Sequence, residues 1–168
     1  MPELQDAIAL LKADHRSVEE LFAKFEKAKG QANKEKIARQ ICLELSVHAI
    51  IEEEIFYPAC EGKIDEDLLK EAHVEHDGAK VLITEIGSGV PSEEFYDAKV
   101  TVLQEQIEHH VKEEEKRLEG MFAQARKADL DLEALGRELA QRKLELLDKY
   151  SPVNLPPAKA ATLTEVDL

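Results

Sequence analysis

Apolar residues recur at steps of three and four along most of the chain, the spacing that places side chains on one face of an α-helix. Glycine, proline and N-cap residues interrupt this pattern and divide it into five predicted helices. Their predicted ranges are from after Pro2 to Gly30, from near Asn33 to Pro58–Gly62, from Asp65 to Gly87, from Pro91–Ser92 to about Lys127, and from Asp131 to about Lys149. The pattern therefore predicts an all-α protein.

Short connections between long amphipathic helices favour antiparallel neighbours. We therefore predict an up-down-up-down four-helix bundle with an additional C-terminal helix that packs across one end or side. Residues 1–150 are predicted to form this single domain. Residues 151–168 contain three prolines and no apolar periodicity, which predicts an extended or disordered, flexible tail.

Ionisable residues interrupt the apolar stripe of each of the first four predicted helices. Burying an unpaired carboxylate costs several kcal/mol or forces the group to take up a proton. A shared cation would neutralise all of them, so the pattern predicts a metal site inside the bundle. The candidate ligands are His15 in the first helix, His48 and Glu52 in the second, His73 and His76 in the third, and His110 and Glu114 in the fourth.

The positions of the four main histidines agree with a common level in the bundle. Residues equidistant from a turn lie at the same height in an antiparallel hairpin. The midpoints between His15 and His48, and between His48 and His76, fall in predicted turns. The midpoint between His76 and His110 falls just beyond a predicted loop, so the fourth helix would overhang the third.

The two HxxxE segments form an internal repeat. His48-x-x-x-Glu52 recurs 62 residues later as His110-x-x-x-Glu114. A spacing of four places both side chains on one helical face. With one histidine from the helix before each segment, the halves supply four histidines and two glutamates, which suits two adjacent ions bridged by the carboxylates better than one ion.

The ordered pattern H…HxxxE…H…HxxxE resembles the hemerythrin-like family, also described as the HHE cation-binding domain, over about Leu4 to Phe122. The run Glu52 to Pro58 is also similar to this family. The resemblance implies a four-helix bundle holding two iron ions, an oxo- or hydroxo-bridged di-iron centre, with Glu52 and Glu114 bridging and the histidines terminal. The donor types themselves also admit manganese or zinc.

The chain differs from the oxygen-carrying branch of that family. That branch uses five histidines and an HxxxxD element, whereas this chain has HxxxE at His110–Glu114. His73 is a candidate fifth ligand, but it precedes His76 by three residues instead of four, so the sequence leaves its role open. Fewer histidines imply more open metal positions, which favours reaction with oxygen, peroxide or nitric oxide over reversible oxygen storage.

We therefore expect a non-haem di-iron protein that binds or reacts with a small diatomic ligand or peroxide, in sensing, detoxification or iron handling. An electron donor and a weak redox activity toward peroxide or nitric oxide would suit this role, and the sequence leaves open whether the protein is an enzyme. Two alternatives remain: a di-iron protein for iron–sulfur cluster repair or iron donation, and a metal-storage or structural bundle.

The net charge excludes some classes of partner, and the cysteines and the N-terminus bear on the cellular compartment. Asp and Glu total 36 against 22 Lys and Arg, a net charge of −14 that predicts no nucleic acid and no anionic membrane as partners. The N-terminus has no basic leader or apolar core, and Cys42 and Cys60 form no disulfide framework. We expect a cytoplasmic protein, and the sequence leaves its oligomeric state open.

Several residues near the candidate ligands have simpler interpretations. His109 is predicted to face solvent or to support a ligand from outside, and Tyr57 and Tyr96 are predicted to pack in the core. Cys42 is predicted to be a small core residue and Cys60 to be exposed. The remaining acidic neighbours are predicted to be solvated charges, with Glu53 also able to hydrogen-bond a ligand: Glu53, Glu54, Glu113 and Glu115.

Overall fold

The protein is almost entirely helical in its computed structural model, which describes residues 5–168. Its helices are connected by short turns, and the described residues contain no strand, only an isolated β-bridge between Ser151 and Asn154. The elements are α1 (Ala7–Lys27), α2 (Gln31–Ile51), a π-helical turn (Glu52–Phe56), α3 (Tyr57–Cys60), α4 (Glu66–Ser88), α5 (Tyr96–Glu115), α6 (Met121–Lys127) and α7 (Leu132–Lys149). The predicted all-α class is confirmed.

Aspartate side chains cap the N-termini of three helices. The Asp6 carboxylate accepts the Ala9 N–H at 2.8 Å, and Asp65 and Asp131 cap α4 and α7 in the same manner. Each satisfies one of the amide groups that a helix leaves unpaired in its first turn. The predicted start of the first helix after Pro2 lies outside the described residues. The second helix begins at Gln31 instead of near Asn33, after Gly30 with φ of 86°.

The predicted fourth helix is wrong as a single element. It begins at Tyr96, not at Pro91–Ser92, and ends at Glu115, and a turn separates it from α6. Gly120 permits this turn, because a Cβ there would lie 2.5 Å from the Lys116 carbonyl oxygen. Leu118, which the periodicity places in the core, lies in the turn and is 72% exposed.

Helices α1, α2, α4 and α5 form the antiparallel bundle, and α7 is the additional C-terminal helix. Helix α7 packs along α1, α2 and the π-helical turn. The close contact with the N-terminal segment depends on Gly136, where a Cβ would lie 2.3 Å from the Gln5 carbonyl oxygen. The predicted bundle with an added C-terminal helix is confirmed.

Two apolar cores lie at opposite ends of the bundle. One contains Ile8 and Leu11 of α1 with Phe122 of α6, and the other contains Phe22 of α1 with Leu103 of α5. Helices α1, α2 and α4 contribute to both cores and α5 contributes to the second, and each of these helices contains a short buried polar stretch. These stretches form one layer, and they contain the candidate ligands.

The last residues run back over the bundle from the end of α7. The Arg39 guanidinium donates to the carbonyl oxygens of Pro152 and Gly87, at 3.1 and 2.9 Å. The Leu155 side chain packs against Gly87. Of the helices described, none has the length and apolar character that crossing a bilayer requires.

Candidate metal centre

The buried polar layer brings six candidate ligands together. Their donor atoms form two groups, and the atoms of each group lie within 4.8 Å of one another. The first half-site contains His15, His48, Glu52 and Glu114, and the second half-site contains Glu52, His76, His110 and Glu114. All six residues are buried, and both half-sites share the two glutamates, an arrangement that suits metal binding.

The π-helical turn sets the orientation of Glu52 and the residues that follow it. The Tyr57 N–H donates to the Glu52 carbonyl, a bond between residues five apart that widens the helix by one residue. Because the wider turn places residue i+5 above residue i, Glu52 and Tyr57 both face the interior and are completely buried. Turns of this kind are frequent at functional sites.

Each histidine of the two half-sites donates its outer ring N–H to a carboxylate of another element. This bond fixes the ring and leaves the inner nitrogen, Nε2, with a free lone pair for a metal. The pairs are His48 with Asp14, His76 with Glu53, His110 with Glu75, and His15 with Glu115, at Nδ1–O distances of 3.0, 3.2, 3.2 and 2.8 Å.

These four pairs close a ring around the bundle. Helix α1 supplies the carboxylate for the histidine of α2, the π-helical turn for α4, α4 for α5, and α5 for α1. The expectation that Glu115 is only a solvated charge is wrong, because it holds His15. The sequence signal was available, since each carboxylate directly precedes or follows a candidate ligand along the chain.

The inner nitrogens face one another and the shared carboxylates. The Nε2 atoms of His15 and His48 are 3.2 Å apart, and those of His76 and His110 are also 3.2 Å apart. His48 Nε2 also contacts Glu52. With the ring protons on the outer nitrogens, the inner lone pairs face one another and the anionic oxygens, so a cation is the group that fits.

The buried carboxylates provide an independent test of that fit. Both oxygens of Glu52 and the Oε2 of Glu114 are buried and lack a hydrogen-bond partner. Buried polar atoms in native proteins almost always have a partner or contact an ion. The orphaned oxygens therefore agree with the half-sites: the residues present fit two metal ions.

The titration behaviour of the cluster shows its demand for positive charge. Burial opposes the charged form of His48, yet the carboxylates of Glu52 and Asp14 raise its pKa to about 10. Burial also disfavours the ionised form of Glu114, but His110 and His15 hold the pKa of Glu114 well below its usual value. Glu114 therefore stays ionised, so the layer takes up cations or protons.

Tyr57 belongs to the second half-site, although we interpreted it from sequence as a packing residue. Its hydroxyl donates to Glu114 Oε1 at 2.6 Å and lies 3.2 Å from Nε2 of His76 and 3.5 Å from that of His110. Burial, with the charges of Glu114 and Glu52, raises the pKa of Tyr57 well above its usual value. The hydroxyl therefore keeps its proton. Tyr57 packs in the core as expected, and its hydroxyl in addition reaches the candidate ligands.

Two further histidines lie outside both half-sites. His73 is 28% exposed, its Nδ1 is 4.0 Å from Glu53, and its ring meets the Tyr57 ring edge-on with centroids 5.2 Å apart. His73 therefore packs behind Tyr57, away from the donor groups. His109 is 69% exposed, so it faces solvent as predicted.

A cavity of about 210 Å³ opens onto the same four histidines, and we call it the vestibule. Apolar side chains form most of its wall, among them Val18, Leu45, Ala49, Ile83 and Ile107. Residues 156–159 of the C-terminal tail close its outer side. The vestibule is therefore a mainly apolar approach to the polar layer, although Glu53, Glu54 and Lys80 also line it.

Comparison with known protein families identifies the family to which this chain belongs. The model of the "Hemerythrin HHE cation binding domain" matches residues 6–122. The chain belongs to the hemerythrin HHE cation-binding domain family. This HHE chain is a helical protein whose buried His and Glu clusters suit metal binding, and the family expected from its HxxxE pattern is confirmed.

Two known proteins are similar to this HHE chain. A solved structure of a hemerythrin HHE cation binding domain-containing protein from Mycobacterium kansasii, a homolog of Rv2633c, superposes with a TM-score of 0.72. It is 24% identical, with 86% of this chain and 89% of that chain covered, and it supports the fold alone. A DNA nickase from Nostoc sp. (strain PCC 7120) is 29% identical over 115 residues, 68% of this chain and 32% of the nickase.

Proposed function

We propose that this protein holds two iron ions and that this centre binds or reacts with oxygen, peroxide or nitric oxide in the cytoplasm. The two half-sites that share Glu52 and Glu114 are the observation that carries this proposal. Imidazole and carboxylate donors suit iron. Two free, buried thiols, Cys42 and Cys60, agree with a reducing compartment.

The side chains would each have a defined part in such a centre. The six shared donors would hold the metals, and iron would supply one-electron chemistry with small oxidants. The ring of four outer carboxylates keeps the imidazoles in one tautomer and one orientation. The Tyr57 hydroxyl holds a proton at Glu114 Oε1, where it can hydrogen-bond an incoming oxygen atom. The vestibule walls admit uncharged molecules and limit bulk water.

Metal analysis tests the first part of the proposal. Protein expressed with iron available is expected to contain two iron ions per chain and to absorb in the near-ultraviolet and visible when oxidised. Rapid mixing of the reduced protein with oxygen, peroxide or nitric oxide should then change this absorption within a single turnover. A colourless protein that takes up zinc alone would overturn the iron assignment and favour a structural or storage role.

We do not propose DNA nicking as an activity of this chain. The chain spans about a third of the length of the Nostoc nickase that it matches, so that activity belongs to a longer protein. A net charge of −14 also opposes approach to a phosphate backbone. We expect neither retardation nor strand breaks of plasmid DNA at physiological salt, and either result would contradict this expectation.

A further inference from the structure

The Asp77 carboxylate lies in the middle of α4 and is completely buried. Its partners come mainly from the C-terminal tail: it accepts the N–H groups of Ala161, Thr162 and Leu163 at distances from 2.6 to 3.1 Å, and the Thr162 hydroxyl at 2.6 Å. Three successive amides around one carboxylate form an anion-binding concavity. A buried charge whose donors lie more than 80 residues away in sequence fixes the tail at this point.

Lys80, one turn beyond Asp77 on α4, adds a second attachment. Its ammonium group donates to the Lys159 carbonyl at 2.9 Å and lies 3.3 Å from Asp77 Oδ1. Pro156, between this attachment and Leu155, is buried against the bundle. The segment 156–163, which we call the strap, is therefore held at both ends.

The strap lies directly over the vestibule. Pro156, Pro157, Ala158 and Lys159 form its outer wall, and the four metal-facing histidines form part of its inner wall. A molecule that enters through this side must pass the strap. The strap is the part of the vestibule wall that does not belong to a helix.

We propose that the strap determines which molecules reach the metal centre, by admitting small uncharged molecules and excluding bulky or charged ones. The metal centre itself rests on the function proposed above. A cavity of about 210 Å³ has room for diatomic molecules, for peroxide or for a short organic hydroperoxide; a cavity of ~150 Å³ is large enough for benzene in other proteins. A large anionic molecule would have to displace the strap from Asp77.

The strap is also connected to one of the candidate ligands. Lys80, which holds the strap at Lys159, donates to Glu53 Oε1 at 2.9 Å, and the other Glu53 oxygen accepts the His76 Nδ1–H at 3.2 Å. Lys80 is thus a positioning residue that joins the strap to the orientation of His76. Release of the strap would loosen one side of the second half-site.

Capture of ferrous iron by bathophenanthroline disulfonate, a bulky dianionic chelator, tests the proposal. In the full-length iron-loaded protein the rate of capture should be independent of chelator concentration, because iron must leave before it is captured. A chain truncated after Leu155 should be attacked directly, so its rate should rise with chelator concentration to at least about tenfold above the full-length rate, ~1.4 kcal/mol in activation free energy. A chain truncated after Thr164 keeps the strap and should behave like the full-length protein.

Two outcomes would overturn the strap as a filter. In the first, the capture rate of the full-length protein rises with chelator concentration as steeply as that of the chain truncated after Leu155. In the second, the rate of the truncated chain does not depend on chelator concentration. If that truncated chain does not fold, Thr162→Pro removes one amide donor and the hydroxyl at Asp77, and Glu165→Pro is its matched control. Only Thr162→Pro should show concentration-dependent capture, and equal behaviour of the two would overturn the proposal.

Hydrogen exchange judges the strap without any metal. In the metal-free protein the amides of Ala161, Thr162 and Leu163 should exchange much more slowly than those of residues 165–168, and Thr162→Pro should abolish the protection of Ala161 and Leu163. Equal exchange across the tail would overturn the strap. A protein that binds no iron but protects these amides would instead contradict the proposed function and leave the strap supported.

Discussion

The two half-sites differ although their ligand sets are equivalent. Each has two histidines with inner nitrogens 3.2 Å apart, and each shares Glu52 and Glu114. Only the histidines of the second half-site lie beside a phenol, because the Tyr57 hydroxyl is close to His76 and His110 as well as to the shared Glu114. The first half-site has Phe122 at the corresponding depth, stacked on His15 with centroids 5.8 Å apart. A proton donor thus serves one side of the centre.

The origin of this difference is local backbone geometry. The residue 62 positions after Tyr57 in the internal repeat is Glu119, which is 81% exposed. Helix α5 ends at Glu115, whereas the equivalent helix continues through the π-helical turn and brings Tyr57 inward. The repeat therefore reproduces the ligands, and the unequal continuation of the two helices makes the centre asymmetric.

Removing a shared ligand should have the largest effect, because it removes a donor from both half-sites. We expect Glu114→Ala to reduce the iron content from two ions per chain to one or none, as measured by elemental analysis of purified protein. His109→Ala is the control, since this exposed histidine lies outside both groups, and it should retain both ions. Full metal retention in Glu114→Ala would contradict the shared-carboxylate arrangement.

Removing a histidine of one half-site should cost about one ion. His48→Ala should leave iron in the second half-site and His110→Ala should leave it in the first. Adding Tyr57→Phe should therefore change the absorption spectrum more in the His48→Ala background, where the remaining ion lies beside the phenol, than in the His110→Ala background, where the phenol is reached only through Glu114. A spectral change of equal size in both backgrounds would show that the half-sites are not independent.

Substituting an outer carboxylate should have an intermediate effect on iron affinity, because these residues orient the ligands without being ligands themselves. Asp14→Asn should weaken iron binding by about 10- to 100-fold, the usual cost of removing such a partner. Glu75→Gln should cost less, since Glu75 is 27% exposed against 11% for Asp14. Competition with a chromophoric chelator measures both affinities. Glu54→Gln, at an exposed position that binds Arg142, should leave the affinity unchanged.

The Tyr57 hydroxyl should contribute to the stability of the metal-free protein. Tyr57→Phe removes the donor to Glu114 Oε1 and should lower the free energy of unfolding by ~1.5–3 kcal/mol, as for other hydrogen bonds to charged groups. Tyr96→Phe is the matched control, because the Tyr96 hydroxyl is buried without a partner, and it should be neutral or slightly stabilising. Denaturant titration of both variants decides between these outcomes.

The cysteines should show the smallest effect in the folded protein. Burial raises the pKa of Cys42 and of Cys60 to about 12, with the charges of Glu52 and Glu114 adding to the shift at Cys60. An ordinary thiol has a pKa of about 8.5, so at pH 8 both side chains should resist alkylation until the chain unfolds. Since unfolding lowers these pKa values, thiol ionisation should reduce stability above about pH 8.5. Alkylation followed by mass spectrometry measures the labelling of each cysteine, and denaturant titration against pH measures the stability. Cys60 is completely buried, so the expectation that it is exposed is wrong.

The chain pattern by itself predicted the bundle and the six residues that the structure brings into the polar layer. This was possible because helical periodicity is local, and because residues equidistant from a short turn must lie at one height. Ionisable groups such as His48 and Glu114 in an apolar stripe then indicate a shared compensating charge. None of these steps requires knowledge of which side chains meet across the bundle.

Tertiary packing alone decided the remaining features. The π-helical turn that brings Tyr57 inward is a small change of helical phase, and apolar spacing does not reveal it. The carboxylate of Asp14 reaches His48 on another helix, and Asp77 binds amides of the strap more than 80 residues away. Such contacts depend on the rotation of each helix about its axis and on the path of the tail, because a hydrogen bond forms only within a few tenths of an ångström.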